Sequence, residues 1–202
     1  NLYSLANLCR EANDKDADKF HQKADQVRSG ILEKMYDEEQ AAFFDVNTKT
    51  GKKIEIFTPS VFFPLVINDI PESIYAKVIE KHLFDKNKFD VKYPIPSLAI
   101  NDPAFDPNGS LFLWRGPTWI MLNWFMHQFL LDKGYKKECK KLVENVVELI
   151  DKSGFREYYN PFTGQGFGAR DFTWSCLVLD MVKMEKAWNR LAMQIQAYSL
   201  NG

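Results

Sequence analysis

The sequence predicts an all-α fold in which inner and outer helices alternate, interrupted by a small β-hairpin. Three stretches carry that prediction. Pro117 to Leu131 is apolar nearly all round, Tyr135 to Ile150 is amphipathic, and about Phe172 to Met184 is again largely apolar. A helix apolar on every side is buried on every side, whereas an amphipathic one lies at the surface. Alternation of the two suggests a layered ring of helical hairpins rather than a four-helix bundle. The 202 residues, 46% hydrophobic and 26% charged, fit one α-helical domain over 1–202 and exclude a disordered chain.

The elements follow in order. Leu2, Leu5, Leu8 and Cys9 fall at helical spacing ahead of a polar break at 13–16. A longer helix from about Asp16 to Met35 presents Phe20, Ala24, Val27, Ile31 and Met35 as one stripe. Asp14, Asp16 and Asp18 alternate as in a calcium loop, but Lys19 stands where that loop needs glycine, so they read as helix-start acids. Residues 43–46 and 53–56, joined through Asn47 to Gly51, read as the hairpin. Two modest helices follow, near Ser60 to Ile67 and Pro71 to Leu83, with Pro71 suited to a first helical turn.

From Phe84 to Leu113, Pro94, Pro96, Pro103 and Pro107 forbid long regular elements. Connections of that length are usually functional. Pro117 opens the buried helix and Lys133-Gly134 closes it. The next helix turns Cys139, Leu142, Val146 and Leu149 inward and Lys137, Lys140, Lys141, Glu144 and Glu148 outward. Ser153 to Asp171 reads as a second irregular stretch, and 189–202 as an amphipathic tail.

Several functions are set aside. With 26 basic against 27 acidic residues, net −1, no basic face is implied and no nucleic acid is expected. The longest uncharged run, Gly116 to Leu131, includes Asn123, His127 and Gln128 and falls short of the roughly 20 apolar residues of a membrane helix. Cys9, Cys139 and Cys176 are scattered without a CxxC, as in the reduced core of a cytoplasmic protein. His21, His82 and His127 lie far apart without HExxH or cysteine spacing, so no metal and no cofactor are expected, and His127 reads as a core histidine. There is no GxSxG elbow and no phosphate-binding loop.

Two segments carry the chemistry. Aromatics make up 14% of the chain and crowd into its second half, as in a packed core or a sugar pocket. In Trp114-Arg115-Gly116-Pro117-Thr118-Trp119-Ile120-Met121-Leu122-Asn123-Trp124, the residues Arg115, Trp119 and Asn123 stand four apart. On a helix they share one side, lining either a polar pocket or a satisfied core network. The second segment, Gly154 to Ser175, is an aromatic stretch with one carboxylate, Glu157, before Gly164, Gly166 and Gly168. The glycines permit close backbone approach or positive φ. By itself Glu157 reads either as a salt-bridged loop residue or as a catalyst.

These segments resemble glycoside hydrolase family 63. The resemblance runs through Thr58-Pro59-Ser60, Tyr93-Pro94-Ile95-Pro96-Ser97, Asn101-Asp102-Pro103-Ala104-Phe105 and Trp114-Arg115-Gly116-Pro117-Thr118-Trp119. It continues in Glu157-Tyr158-Tyr159-Asn160-Pro161-Phe162-Thr163-Gly164 and Phe172-Thr173-Trp174-Ser175. The branch it is most similar to contains the mannosylglycerate and glucosylglycerate hydrolases.

The resemblance implies an (α/α)6 toroid and an inverting, exo-acting cleavage of a small α-linked glucoside or mannoside. The helices here are too few to close that ring, so the chain corresponds to about half of it, the C-terminal part. Inversion takes two carboxyl groups about 6.5–9.5 Å apart, one protonating the leaving oxygen and one activating water. The resemblance makes Glu157 the general base, and places Trp114, Arg115, Trp119, Asn123 and Trp174 near the sugar. Arg115 either holds Glu157 ionised or binds a substrate carboxylate such as glycerate. The family's general-acid Asp has no counterpart, with Asp102 and Asp106 as the only substitutes at hand. Its partners are then a small saccharide or glycosyl-glycerate and the N-terminal half of the same enzyme. The alternative is a non-catalytic carbohydrate-binding or helical interaction module.

Overall fold

The computed structural model describes residues 1–67 and 69–186, so the expected tail at 189–202 lies outside the described residues. The molecule is mostly helical with small hairpins. Helix α1 (Leu2–Glu11) packs on α2 (Ala17–Lys34). The Asp14 carboxylate accepts the Asp16 N–H at 2.8 Å, turning the chain between them. The expected α2 stripe is only partly inward: Ala24 is buried, but Val27 is 52% exposed.

Two short antiparallel hairpins follow. β1 (Tyr36–Asp37) pairs with β2 (Ala42–Phe43), and β3 (Asp45–Val46) pairs with β4 (Lys53–Ile54). Only the second was expected; its turn is built by the Asn47 side chain, which accepts from Lys49 N–H and Thr50 N–H at 3.0 and 3.1 Å. The first is pinned from outside, because His82 Nε2 meets the carbonyls of Gln40 and Ala41 at 2.8 and 3.1 Å.

Pro59–Val66 forms a 3-10 helix, its Thr58 hydroxyl accepting the Ser60 N–H at 3.3 Å. The internal Pro64 lacks the N–H that an α-helix would need there. Helix α3 (Glu72–Val78) runs into a π-helical turn (Ile79–Leu83). Pro71 stands before α3 with ψ 138, outside the first turn where it was expected.

The proline-rich stretch after Phe84 is irregular yet buried: Phe89, Tyr93, Ile95 and Ala99 are at most 1% exposed. Buried irregular backbone needs partners, and it has them. Tyr93 N–H donates to Pro161 O at 3.0 Å, Ser97 N–H to Pro117 O at 3.0 Å and Ala99 N–H to Phe57 O at 2.9 Å.

Helix α4 (Ile120–Asp132) buries Ile120, Leu122, Met126, Phe129 and Leu130. It lies against α5 (Lys136–Ser153), which is amphipathic and buries Cys139, Leu142, Val146 and Leu149 as its stripe requires. The outer character of α5 is as the sequence indicates, but α4 is not buried on every side: Phe125 is 42% exposed, and Met121, Trp124 and Gln128 on the same face are only half-buried. The expected irregular stretch after Ser153 is instead a third antiparallel hairpin, β5 (Arg156–Tyr159) with β6 (Gly166–Arg170). A 3-10 turn (Thr173–Cys176) leads into α6, which covers the described residues 177–186.

Candidate active site

Thr118 organises the site. Its N–H donates to Tyr159 O at 2.8 Å and its carbonyl accepts the Tyr159 N–H at 2.9 Å. A further β-bridge joins it to Pro96, and its hydroxyl donates to Tyr93 O at 2.6 Å. A residue so engaged is extended, so α4 begins only at Ile120, with Trp119 at φ −118 and ψ 127. The expectation of a helix from Pro117, with Arg115, Trp119 and Asn123 on one of its sides, is therefore corrected. Tertiary pairing to Tyr159 takes the backbone groups that a helix start would use, and Leu122 N–H turns to Trp119 O at 3.1 Å instead.

In an extended strand, neighbouring side chains point to opposite faces. While the Thr118 and Tyr159 side chains face the core, Trp119 and Tyr158 share the other face and stack, with centroids 5.2 Å apart and planes at 30°. Trp119 also stacks on Trp114 at 3.9 Å and 6°, and Phe167 extends the row beyond Tyr158 at 5.9 Å. Trp174 leans on Trp119 at 6.2 Å. Trp119 is 2% exposed while Trp114 and Trp174 are 46% and 41% exposed. The outer faces of Trp114 and Trp174 are thus open, and Trp119 backs them, its indole N–H donating to Leu113 O at 3.2 Å.

Asn123 lies behind this wall, fully buried, with Nδ2 donating to Trp119 O at 3.0 Å. Its Oδ1 is buried and has no hydrogen-bond partner among the described residues.

Glu157 is half-buried on β5 at an irregularity of the hairpin. Arg156 pairs with Arg170 and Tyr158 with Phe167, so Gly168 and Ala169 together face Glu157. This is a β-bulge with a glycine at φ 65, the left-handed conformation such a bulge takes. The bulge leaves the Ala169 N–H off the ladder, and it donates to Glu157 Oε2 at 3.0 Å. Glu157 Oε1 has no hydrogen-bond partner among the described residues. A side chain at Gly168 has no room, since its Cβ would stand 2.4 Å from Glu157 Oε2.

The hairpin is anchored at both ends. Tyr159 Oη donates to Gly154 O at 2.8 Å and accepts the Arg156 N–H at 2.8 Å, while the Ser175 hydroxyl donates to Arg156 O. Asn160 Nδ2 donates to Asn108 Oδ1 at 2.8 Å, tying the hairpin to the long loop.

Arg115 forms no ion pair among the described residues; its guanidinium lies 4.2 Å from the Phe112 ring. It lines an open cleft of about 600 Å³ with Trp114, Phe112, Leu98 and Ile56. Of the two readings open for Arg115, contact with Glu157 is not made within the described residues. Gly116 lets this strand pass so close to Asp106 that a Cβ would stand 2.2 Å from its carbonyl oxygen.

The two carboxylates considered as substitute acids are engaged in turns. Asp102 Oδ1 accepts the Ala104 N–H at 2.8 Å. Asp106 accepts the N–H groups of Asn108 and Ser110 at 3.0 and 2.5 Å. Desolvation works to raise the Asp106 pKa, but the amides of Asn108, Ser110 and Leu111 bring it below the ordinary value. An acid held ionised is poorly suited to giving a proton.

The sequence did not disclose Tyr158, Phe167, Ala169 and Ser175 as parts of this site. The signal for the first three was the alternation of Gly164, Gly166 and Gly168, which has the period of a strand.

Residues 1–175 match the family described as the mannosylglycerate hydrolase MGH1-like glycoside hydrolase domain, and the chain belongs to that family. It is 31% identical over 175 residues to the mannosylglycerate hydrolase of Thermus thermophilus, covering 86% of this chain and 40% of that protein. It is 29% identical to the glucosylglycerate hydrolase of Mycolicibacterium hassiacum, covering 78% of this chain and 35% of that one. The crystal structure of a GH63 mannosylglycerate hydrolase from Thermus thermophilus in complex with Tris superposes with a TM-score of 0.78 at 27% identity, over 89% of this chain and 42% of that one. The chain thus spans about two fifths of the length of the curated relatives it matches.

Proposed function

We propose that the chain is the C-terminal portion of an (α/α)6 glycoside hydrolase that cleaves glucosyl- or mannosylglycerate with inversion. Glu157 is its general base. The observation that carries this reading is a carboxylate held through Oε2 by a backbone amide, with Oε1 free, next to an aromatic wall. A general base needs that division: one oxygen fixed for orientation, the other available to take a proton from water.

The exposed rings of Trp114 and Trp174 cover the apolar face of the sugar, and Trp119 and Asn123 hold them from behind. Arg115, which forms no ion pair among the described residues and lines a largely apolar cleft that Asp102 also borders, takes the glycerate carboxylate through a bidentate contact. The general acid comes from the N-terminal portion of the same enzyme, since Asp102 and Asp106 serve turns.

In the whole enzyme, Glu157→Gln is expected to leave glycosylglycerate binding largely intact and to reduce turnover by orders of magnitude. Turnover like that of the unchanged enzyme would end the assignment.

A further inference from the structure

The spacing of histidines and cysteines along the chain shows no metal site, but the fold brings ligands together from three helices. His127 on α4, Cys139 on α5 and Glu185 on α6 place a nitrogen, a sulfur and a carboxylate oxygen within 4.8 Å of one another. They lie roughly two turns along α4 from Trp119, apart from the aromatic wall. His127 and Cys139 are fully buried, and the Glu185 side chain is 14% exposed.

A core network that satisfies buried polar groups does so with short bonds, about 2.7–2.9 Å where a charge takes part. The contacts here are longer. His127 Nε2 stands 3.3 Å from Glu185 Oε1, and Cys139 Sγ reaches only the His127 carbonyl, at 3.6 Å. His127 Nδ1 is also buried and has no hydrogen-bond partner among the described residues. The three side chains are joined to one another only by that one long His127–Glu185 contact, and the Cys139 thiol is held by a backbone carbonyl instead. The 3.3 Å separation matches the edge of a tetrahedron about an ion that lies about 2.0–2.1 Å from each ligand atom. A thiolate and a carboxylate also cancel a divalent charge, which a low-dielectric interior demands.

We propose that His127, Cys139 and Glu185 form a binding site for a divalent cation of the zinc class, with water as the fourth ligand on the Glu185 side. Mixed nitrogen, sulfur and oxygen ligation selects zinc or cobalt over magnesium and calcium. As the metal–sulfur bond forms, the Sγ–H···O contact to His127 breaks and the thiol proton passes to buffer. The ion clamps α6 to the α4–α5 pair.

The test is a Co²⁺ titration of the chelator-stripped intact protein, read by absorbance. One equivalent is expected to produce a thiolate-to-cobalt charge-transfer band with the visible bands of tetrahedral cobalt, and Zn²⁺ is expected to displace both. Cys139→Ser should abolish the charge-transfer band, Glu185→Gln should weaken binding at least tenfold, and the Cys9→Ser/Cys176→Ser pair should change neither. A folded protein without the band, or a band that survives in Cys139→Ser, overturns the site. Where Cys139→Ser does not fold, X-ray absorption at the zinc edge of the unchanged protein decides. One sulfur at about 2.3 Å beside nitrogen and oxygen supports the site, and a shell without sulfur refutes it.

Discussion

Adding one methyl group to Gly168 separates the positioning of Glu157 from the stability of the fold. Its Cβ would lie 2.4 Å from Glu157 Oε2, 2.7 Å from Glu157 Cβ and 2.9 Å from Tyr158 Cε1. Ordinary contact begins near 3.4 Å, so the carboxylate has to move by about 1 Å, a displacement that costs about 10²-fold in rate at a catalytic group. The φ of +65 adds about 1–2 kcal/mol for any residue with a Cβ. Gly154 supplies the control, because it has φ +72 and nothing lies within 4 Å of the place a methyl would take. Gly154→Ala bears a backbone cost alone, about 1–3 kcal/mol at its φ of 72 and ψ of −174, and its melting temperature should fall by about 2–12 °C. Gly168→Ala should melt lower still and, in the whole enzyme, lose about two orders of magnitude in kcat on glycosylglycerate. The assay is thermal melting together with steady-state kinetics for both variants. Equal kcat in the two would refute the bulge as the device that places Glu157.

Trp119 is 2% exposed and touches Trp114, Tyr158 and Trp174, so Trp119→Ala should cost about 3–5 kcal/mol in urea unfolding. A loss below about 1 kcal/mol would mean that the aromatic wall is not packed as described. His82 gives a pH dependence. Burial lowers its pKa below 6.5 and the neighbouring Lys88 lowers it further, against the carbonyls of Gln40 and Ala41, which raise it. The unfolded chain therefore takes up a proton at His82 before the folded one does. Its contribution is fully present above about pH 6.5 and is lost as the pH falls through the folded pKa. The urea midpoint should drop between about pH 7.5 and 5, less steeply in His82→Gln; parallel slopes would exclude His82 as the source.

What the sequence disclosed and what it hid divide along one physical line. The amphipathic α5 and the hairpin at 45–54 depend on residues close together in the chain, and both were legible. The start of α4 was not, because Thr118 is drawn out of helix by Tyr159, 41 positions away by number. The β5–β6 hairpin was hidden for a different reason. Its three glycines at alternate positions look like loop material, although all three are required by crowding. A Cβ at Gly166 would meet Arg156 Cγ at 2.3 Å, as one at Gly168 would meet Glu157. Resemblance singled out Glu157, but only the bulge explains why a carboxylate stands there with one oxygen held.

A mostly helical protein here positions its chemistry with β-pairing. Helix ends fray and side chains on them sweep through rotamers, whereas an extended residue bonded on both edges has little freedom. Thr118 is such a residue, bridged to Pro96 on one edge and Tyr159 on the other. Strand alternation then sends Trp119 and Tyr158 to one face without further instruction, and the bulge turns a free amide toward the Glu157 carboxylate. The helices α4 and α5 supply the buried area that stabilises the fold. The short bridges that flank them in sequence set the positions of Glu157 and the aromatic wall, so a substitution that breaks the Thr118–Tyr159 pairing should damage binding and catalysis together while leaving the helices in place.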